Sequence, residues 1–241
     1  MRAADCSSHP MPSSPDMPTV DVCVFAALHQ ELAPLEAHTT SRTTRGGLEF
    51  GTGEVAGLVF RSVVGGVGKV AAARAATLLL EPRPRIGLFV VGVCGGLTLD
   101  QPIGALVHAT AAVQCDLFLP RRGAEAADDG LLGTWRALVP GPTAVYMTAD
   151  RAAIMPWRRW LRRRRSTGGP AVADMETAAA AWVARSCGVP WAALRAVSDT
   201  QGPFASRAFA LHFGEQAPRA AATLPSVFAK LAQRSISPSN P

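Results

Sequence analysis

Apolar residues in this chain occur in short unbroken runs, and the runs alternate with longer alanine-rich stretches. The first run, residues 20–27 (VDVCVFAA), is apolar at every position after Asp21, which is typical of a strand buried on both faces of a sheet. The last run, residues 191–199, ends instead in polar side chains. Runs of this kind predict six strands, at residues 20–27, 57–64, 86–93, 104–113, 143–148 and 191–199.

The stretches between these runs have the composition and the end signals of helices. One alanine-rich stretch follows Gly68 and is stopped by Pro82. Another begins near Glu176 and ends at Gly188, a residue type that commonly follows the last turn of a helix. The other segments predict a short helix at 28–37 with Pro34 near its first turn, a loop or hairpin at 39–53, a loop at 121–130, and one or two closing helices at 204–231 broken at Pro218 and Pro225.

The alternation of strands and helices predicts an α/β domain with a largely parallel or mixed sheet. With 241 residues, of which 48% are hydrophobic and 17% charged, the chain can bury a substantial core. We expect one domain over residues 19–232, a disordered tail rich in Ser and Pro at 1–18, and a loose tail at 233–241.

Several features of the sequence favour a cytoplasmic protein. No apolar run approaches the roughly 20 residues of a membrane span, and no apolar signal segment opens the chain. The five cysteines form no C-x-x-C pair. This spacing favours reduced thiols over disulfides or a zinc site.

Much of the net charge of +6 lies in one stretch between Arg158 and Arg165 (RRWLRRRR). Such a stretch can bind anionic lipid, an acidic substrate or nucleic acid, or it can be a solvated face. Trp157, Trp160 and Leu161 would share one side of a helix, as in an interfacial helix on an anionic membrane. The alternative is that these three residues pack inward. We expect a peripheral contact with the inner membrane surface and no nucleic-acid partner.

Polar side chains gather where the last predicted strand ends and where the helix before it begins. The strand ends in Arg195, Ser198 and Asp199, the helix begins at Glu176, and Glu31 lies just past the first strand. Ligands of open α/β sheets bind beyond the carboxyl ends of the strands, so these residues are candidates for a site. A helix cap and a turn are the alternative, since Ser and Asp favour both positions.

Four segments of the chain resemble motifs of one enzyme superfamily and occur in its order. Residues 173–199 resemble the (E/D)-M-E-(A/S) helix start and the R-A-(I/V)-S-D strand end of the nucleoside phosphorylase/nucleosidase superfamily. Residues 65–80 (GGVGKVAAARAATLLL) are similar to its S-G-(I/V)-G-K-x-x-A-A helix, residues 92–97 (GVCGGL) to its G-S-A-G-G-L turn, and residues 26–32 (AALHQEL) to its A-M-x-x-E motif. The resemblance implies a single α/β domain whose mixed central sheet wraps toward a barrel flanked by helices.

The resemblance also implies roles for individual residues. Cleavage of a purine–ribose bond needs an acid that protonates the purine and a nucleophile that attacks the sugar. Two carboxylates on opposite sides of the bond suit these two tasks. By resemblance, Asp199 is the acid at purine N7 and Glu31 is the base that activates water. The remaining implied contacts are Ser198 holding Asp199, Arg195 near Glu31, Glu176 on the ribose hydroxyls, Met175 on the sugar, Phe209 covering the nucleoside, and the main chain around Val93, Gly95 and Ile154.

Three departures from the superfamily pattern bear on substrate and nucleophile. Asp174 stands where Glu is common, Val93 replaces a Ser, and Thr-Gln-Gly-Pro follows Asp199. No metal or organic cofactor is implied, and phosphate is left open as a co-substrate. The chain most resembles the hopanoid-associated phosphorylase branch, so we expect adenine release from adenosylhopane.

Two other functions remain as alternatives to that expectation. One is a methylthioadenosine/S-adenosylhomocysteine nucleosidase. The other is a non-catalytic binding protein that uses the arginine-rich stretch. We expect a homo-oligomer, and a dimer in particular.

Overall fold

A computed structural model of the protein describes residues 18–97, 101–117, 123–151, 169–200 and 204–236. Within these residues the strands are β1 Val22–Ala26, β2 Thr39–Arg45, β3 Leu48–Val55, β4 Leu58–Val64, β5 Gly87–Gly96, β6 Leu106–Gln114, β7 Glu125–Ala126, β8 Thr143–Thr148, β9 Ala171–Asp174 and β10 Trp191–Asp199. The α-helices are α1 His29–Glu36, α2 Lys69–Leu79, α3 Asp129–Leu138, α4 Thr177–Ser186, α5 Ala205–Gln216 and α6 Leu224–Ile236.

The strands of the described residues form one mixed sheet that closes on itself. Strand β5 pairs in parallel with β1 and with β10, and its last two residues pair antiparallel with β9. Strands β10, β6, β8, β9 and β5 therefore form a ring, because β10 pairs both with β6 and with β5. Beyond the ring the sheet continues through β1, β4, β3 and β2. The predicted α/β domain with a sheet wrapped toward a barrel is confirmed.

Helices cover the sheet on both sides, and each side has its own apolar core. On one side, buried alanines of α2 and α4 pack against β5, β8 and β10, with Tyr146 in the same cluster. On the other side, the ring of Phe89 meets the edges of Trp135 and Phe228 at centroid distances of 5.2 and 5.6 Å. These large buried rings fix α3 and α6 to the sheet, since aromatic edge contacts add to the free energy of burial.

The predicted strands and most predicted helices are present, and the differences have local causes. Residues 39–53 form the β2–β3 hairpin. The loop prediction for 121–130 is wrong at 125–126 and from Asp129 onward, where β7 and α3 lie. Helix α3 was missed because Gly130 and Gly133 lower its intrinsic propensity. Burial of Trp135 and the cap bond from the Leu131 N–H to Asp128 Oδ1 (2.9 Å) stabilise it.

Proline positions account for two further corrections. Pro34 is the sixth residue of α1 rather than part of its first turn. Pro225 is the second residue of α6 and does not break it, because an early helical position needs no proline N–H. Helix α6 continues through Ile236, past the predicted domain end at residue 232.

Some sequence predictions fall outside the described residues. These are residues 1–17 of the predicted first tail, residues 237–241 of the predicted last tail, the arginine-rich stretch from Arg158 to Arg165 with Trp157, and the candidate Ile154. Among the described residues, no helix is both long enough and apolar enough to span a membrane.

Candidate active site

A cavity of about 350 Å³ lies beyond the carboxyl ends of β1, β5 and β10. These three strands are parallel neighbours, so the residues that follow them meet at one edge of the sheet. The starts of α2 and α4 and one side of α5 complete its wall. The candidate residues that line this cavity are Glu31, Val93, Gly95, Met175, Glu176, Arg195, Ser198, Asp199 and Phe209.

Glu31 is held in the cavity floor by three backbone N–H groups. Its Oε2 accepts from the N–H groups of Ala27 and Leu28 at 2.9 and 3.0 Å, and its Oε1 accepts from that of Val93 at 3.0 Å. Burial raises the pKa of Glu31, while Arg195 and the three N–H groups act in the opposite direction. The carboxylate is therefore rigid and more basic than a surface glutamate.

Gly92 makes room for this carboxylate. Its φ is +150°, and a Cβ atom there would lie 2.4 Å from Glu31 Oε1. Only glycine tolerates both the backbone conformation and the close approach. Gly92, in the glycine-rich end of β5, thus has a local physical reason next to a candidate catalytic group.

Each nitrogen of the Arg195 guanidinium contacts a carboxylate, a hydroxyl or a backbone carbonyl of the protein. Its Nη1 donates to Val93 O at 2.9 Å and its Nε to Thr177 Oγ1 at 3.1 Å. Its Nη2 lies 3.2 Å from Glu176 Oε2 and 3.3 Å from Asp174 Oδ2. Burial by itself lowers the pKa of Arg195, but the neighbouring carboxylates outweigh it and raise the pKa. The guanidinium is a permanent cation inside the site.

Glu176 precedes the first residue of α4 and is buried beside Arg195. Its Oε1 accepts from the Gly68 N–H at 3.0 Å, and its Oε2 accepts from Arg195. Burial raises the pKa of Glu176 to about 7, with Asp174 and Glu31 adding to the rise and Arg195 and Gly68 opposing it. Glu176 therefore changes its charge near neutral pH.

Ser198 and Asp199 both line the cavity although they are consecutive in β10. The pairing of β10 with β5 shifts register between Val197 and Asp199, and such an irregularity turns a side chain that would face away. Ser198 Oγ lies 3.1 Å from Asp199 Oδ1 and 3.3 Å from Cys94 O. The serine hydroxyl can thus orient the Asp199 carboxyl group.

The upper wall of the cavity is apolar. Met175, Val67, Leu28 and two rings of α5 line it. The rings of Phe209 and Phe213 lie 5.2 Å apart. Flat apolar walls above a polar floor suit a ligand with an aromatic ring and a hydroxylated part.

Sequence reasoning did not predict several of these contacts. Phe213 has a signal, because it follows Phe209 by one helical turn. Asp174 was noticed only as a departure from a motif, yet it accepts the Thr177 N–H at 2.8 Å and also contacts Thr148 and Arg195. Thr148 in β8 has no sequence signal at all, because 26 residues separate it from Asp174 along the chain.

The family model described as the phosphorylase superfamily matches residues 21–233. The chain belongs to the phosphorylase superfamily. The expectation of an enzyme that cleaves an N-glycosidic bond is confirmed at this level. The solved structures that resemble it agree with the fold described above.

Three of these structures show the extent of the likeness. An S-adenosylhomocysteine nucleosidase from Streptococcus pyogenes in complex with 5-methylthiotubericidin is 21% identical, with a TM-score of 0.81, over 90% of this chain and 99% of that one. A 5'-methylthioadenosine/S-adenosylhomocysteine nucleosidase from Colwellia psychrerythraea in complex with adenine is 20% identical, with a TM-score of 0.82, over 89% and 96%. The futalosine hydrolase of Helicobacter pylori is 20% identical, with a TM-score of 0.81, over 87% and 97%.

Proposed function

We propose that this superfamily member cleaves the N-glycosidic bond of an adenine nucleoside. The observation that carries the proposal is that Glu31, in the first turn of α1, and Asp199, the last residue of β10, line one cavity with Glu176. Asp199 donates a proton or a hydrogen bond to the leaving purine, oriented by Ser198. Glu31 accepts the proton of the nucleophile. The adenine complex of the Colwellia nucleosidase, which has the same fold, supports adenine as the nucleobase of the proposed substrate.

Glu176 is the proposed ribose contact. A carboxylate can accept hydrogen bonds from two neighbouring hydroxyls, and its charge stabilises the cationic character that the sugar develops as the bond breaks. Only the ionised form does both. With a pKa of about 7, Glu176 gains this form as the pH rises through neutrality. The Met175 side chain lines the cavity next to it, where it can pack on the sugar.

We further propose water, rather than phosphate, as the nucleophile. The described residues that line the cavity carry the carboxyl groups of Glu31, Asp174, Glu176 and Asp199, and Arg195 is the one cation among them. Every Arg195 nitrogen already has a partner in the protein. A phosphate dianion would be repelled by these carboxylates without a free cation to bind it. The same negative field does not repel a neutral water molecule, and it stabilises a cationic transition state.

The 5′ substituent of the nucleoside is proposed to be apolar and long. Among the residues that line the cavity, the apolar Val67 and Phe209 are 50% and 38% exposed and so form part of its rim. An apolar rim of this kind favours a lipid-linked nucleoside such as adenosylhopane. The second candidate is methylthioadenosine, which the modest cavity volume of about 350 Å³ favours.

The test is adenine release by the purified enzyme from methylthioadenosine, S-adenosylhomocysteine and adenosylhopane in detergent, each with and without phosphate. We expect release that does not depend on phosphate, a free reducing sugar as the second product, and the highest kcat/KM with the lipid-linked substrate. A requirement for phosphate would overturn the choice of nucleophile. If the enzyme releases adenine from none of the three substrates, the proposed function is wrong.

A membrane contact through the stretch between Arg158 and Arg165 is proposed from its sequence alone. We expect the protein to float with vesicles that contain anionic lipid at low salt, at about 1 kcal/mol per basic residue near the surface. Replacing Arg162, Arg163, Arg164 and Arg165 by Gln should weaken flotation and leave turnover of a water-soluble adenine nucleoside unchanged. Absence of flotation at low salt would remove the membrane contact and favour the methylthioadenosine alternative.

A further inference from the structure

The first turn of α2 is fastened to the ends of two barrel strands by a single lysine. Lys69 is the first residue of α2, and its Nζ lies 2.6 Å from Asp116 Oδ1 and 3.5 Å from Asp150 Oδ2. Asp116 lies two residues after β6, and Asp150 lies two residues after β8. These are parallel neighbours in the ring, so one side chain ties the helix to the barrel.

The backbone of Lys69 takes part in the same network. Its N–H donates to Asp150 Oδ1 at 2.8 Å, and the Asp150 N–H donates to Asp116 Oδ2 at 3.1 Å. Asp150 therefore contacts both the backbone N–H and the side-chain ammonium group of Lys69. Burial by itself lowers the pKa of Lys69, but the contacts with Asp116 and Asp150 outweigh it and raise the pKa. The lysine stays charged, so the network persists throughout the physiological pH range.

Gly68, the residue immediately before, connects this network to the active site. Its N–H donates to Glu176 Oε1 at 3.0 Å. Its φ of +96° is a conformation that favours glycine, and a Cβ there would lie 3.3 Å from Asp150 Oδ1. The direction of the Gly68 N–H thus depends on where Asp150 and Lys69 hold the start of the helix.

We propose that Lys69, clamped between Asp116 and Asp150, is a positioning residue for Glu176, which it acts on through the Gly68 N–H. The inference rests on the proposed function, because Glu176 is there the contact to the ribose hydroxyls. Lys69 is not among the described residues that line the cavity. It keeps one of the two donors that orient the Glu176 carboxylate in place, and Arg195 is the other.

Loss of that hydrogen-bond donor should change the pKa of Glu176 in a predictable direction. A hydrogen bond to the ionised carboxylate lowers the pKa of Glu176, so weakening it raises that pKa further. The other charged groups that face Glu176 are Arg195, Asp174 and Glu31, and replacement of Lys69 leaves all three in place. The acidic limb of kcat/KM against pH should therefore move to higher pH.

The experiment compares wild type with Lys69→Met, Lys69→Arg and Asp116→Asn. For Lys69→Met we expect kcat/KM on the best ribonucleoside to fall roughly 10- to 100-fold. Its acidic limb should rise by roughly 0.5 to 1 pH unit, and the preference for ribo- over 2′-deoxyribonucleoside should shrink. Asp116→Asn should change all three in the same direction, and Lys69→Arg should restore most of each. Arg74→Met, an exposed change about one and a half helical turns further along α2, is the matched control that should change none.

Thermal unfolding of each variant separates positioning from stability. A lower Tm with an unchanged acidic limb and unchanged ribo/deoxy ratio would overturn the proposal and leave Lys69 a purely structural residue. A ¹³C NMR titration of the Glu176 carboxyl group, assigned with Glu176→Gln, needs no substrate. A Glu176 pKa that is the same in wild type and Lys69→Met would overturn the proposal even if the wild type cleaves no nucleoside, an outcome that by itself counts only against the proposed function.

Discussion

Replacement of Asp199 by Asn is expected to preserve the fold and to slow adenine release roughly 10²- to 10⁴-fold, the usual contribution of a general acid. Asparagine has nearly the same shape, and its Oδ1 can still accept the Ser198 hydroxyl that lies 3.1 Å from Asp199 Oδ1. It has no acidic proton to give to the leaving purine. The loss should appear in single-turnover rates, where product release does not contribute.

The leaving group provides the check on this assignment. A 4-nitrophenyl riboside needs no protonation when it leaves, so Asp199→Asn should slow its hydrolysis far less than that of an adenine nucleoside. Asp129→Asn, an exposed acid at the start of α3, is the matched control and should behave as wild type. An equal loss on both substrates would show that Asp199 does not act as the acid.

Replacement of Glu31 by Gln should reduce kcat by roughly 10²- to 10⁴-fold and also destabilise the protein by roughly 1–3 kcal/mol. The activity falls because an amide cannot take the proton of the attacking water. The stability falls because both carboxylate oxygens accept backbone N–H groups, from Ala27 and Leu28 on one side and Val93 on the other. One of these sets must face the amide NH₂ in the variant and lose its acceptor.

Two measurements test the two parts of this prediction. Urea unfolding gives the change in free energy of unfolding, and a rapid-mix assay gives the rate of the chemical step. Glu36→Gln, an exposed change in the last turn of α1, is the control for both. A Glu31→Gln enzyme that keeps wild-type kcat would contradict the role of Glu31 as base, whatever its stability.

The proposed catalytic carboxylates are the part of the site whose positions the sequence predicts best. Glu31 lies in the first turn of α1, Glu176 immediately precedes α4, and Asp199 ends β10. The starts of these helices and the end of this strand are visible in the periodicity of the chain. The reason for Gly92, the first residue of the glycine-rich segment 92–97, is visible only in the structure, where the Glu31 carboxylate approaches it closely. Motif order then associated these positions with one superfamily.

The sequence by itself determined where most strands and helices lie. A buried strand is a short apolar run and a packed helix has one apolar stripe, and both patterns are set by residues close together in the chain. The sequence did not determine which strands lie next to each other, and so which residues at their ends come into contact. Lys69 contacts Asp116 and Asp150 only because β6 and β8 lie side by side in a closed ring. Arg195 contacts Asp174, Glu176 and Thr177 only because β10 pairs with β5. Strand order and register are set by packing of the whole sheet, so no local pattern contains them. The tertiary structure therefore decided how the carboxylates are oriented, how burial and neighbouring charges shift their pKa values, and which residues hold them in place.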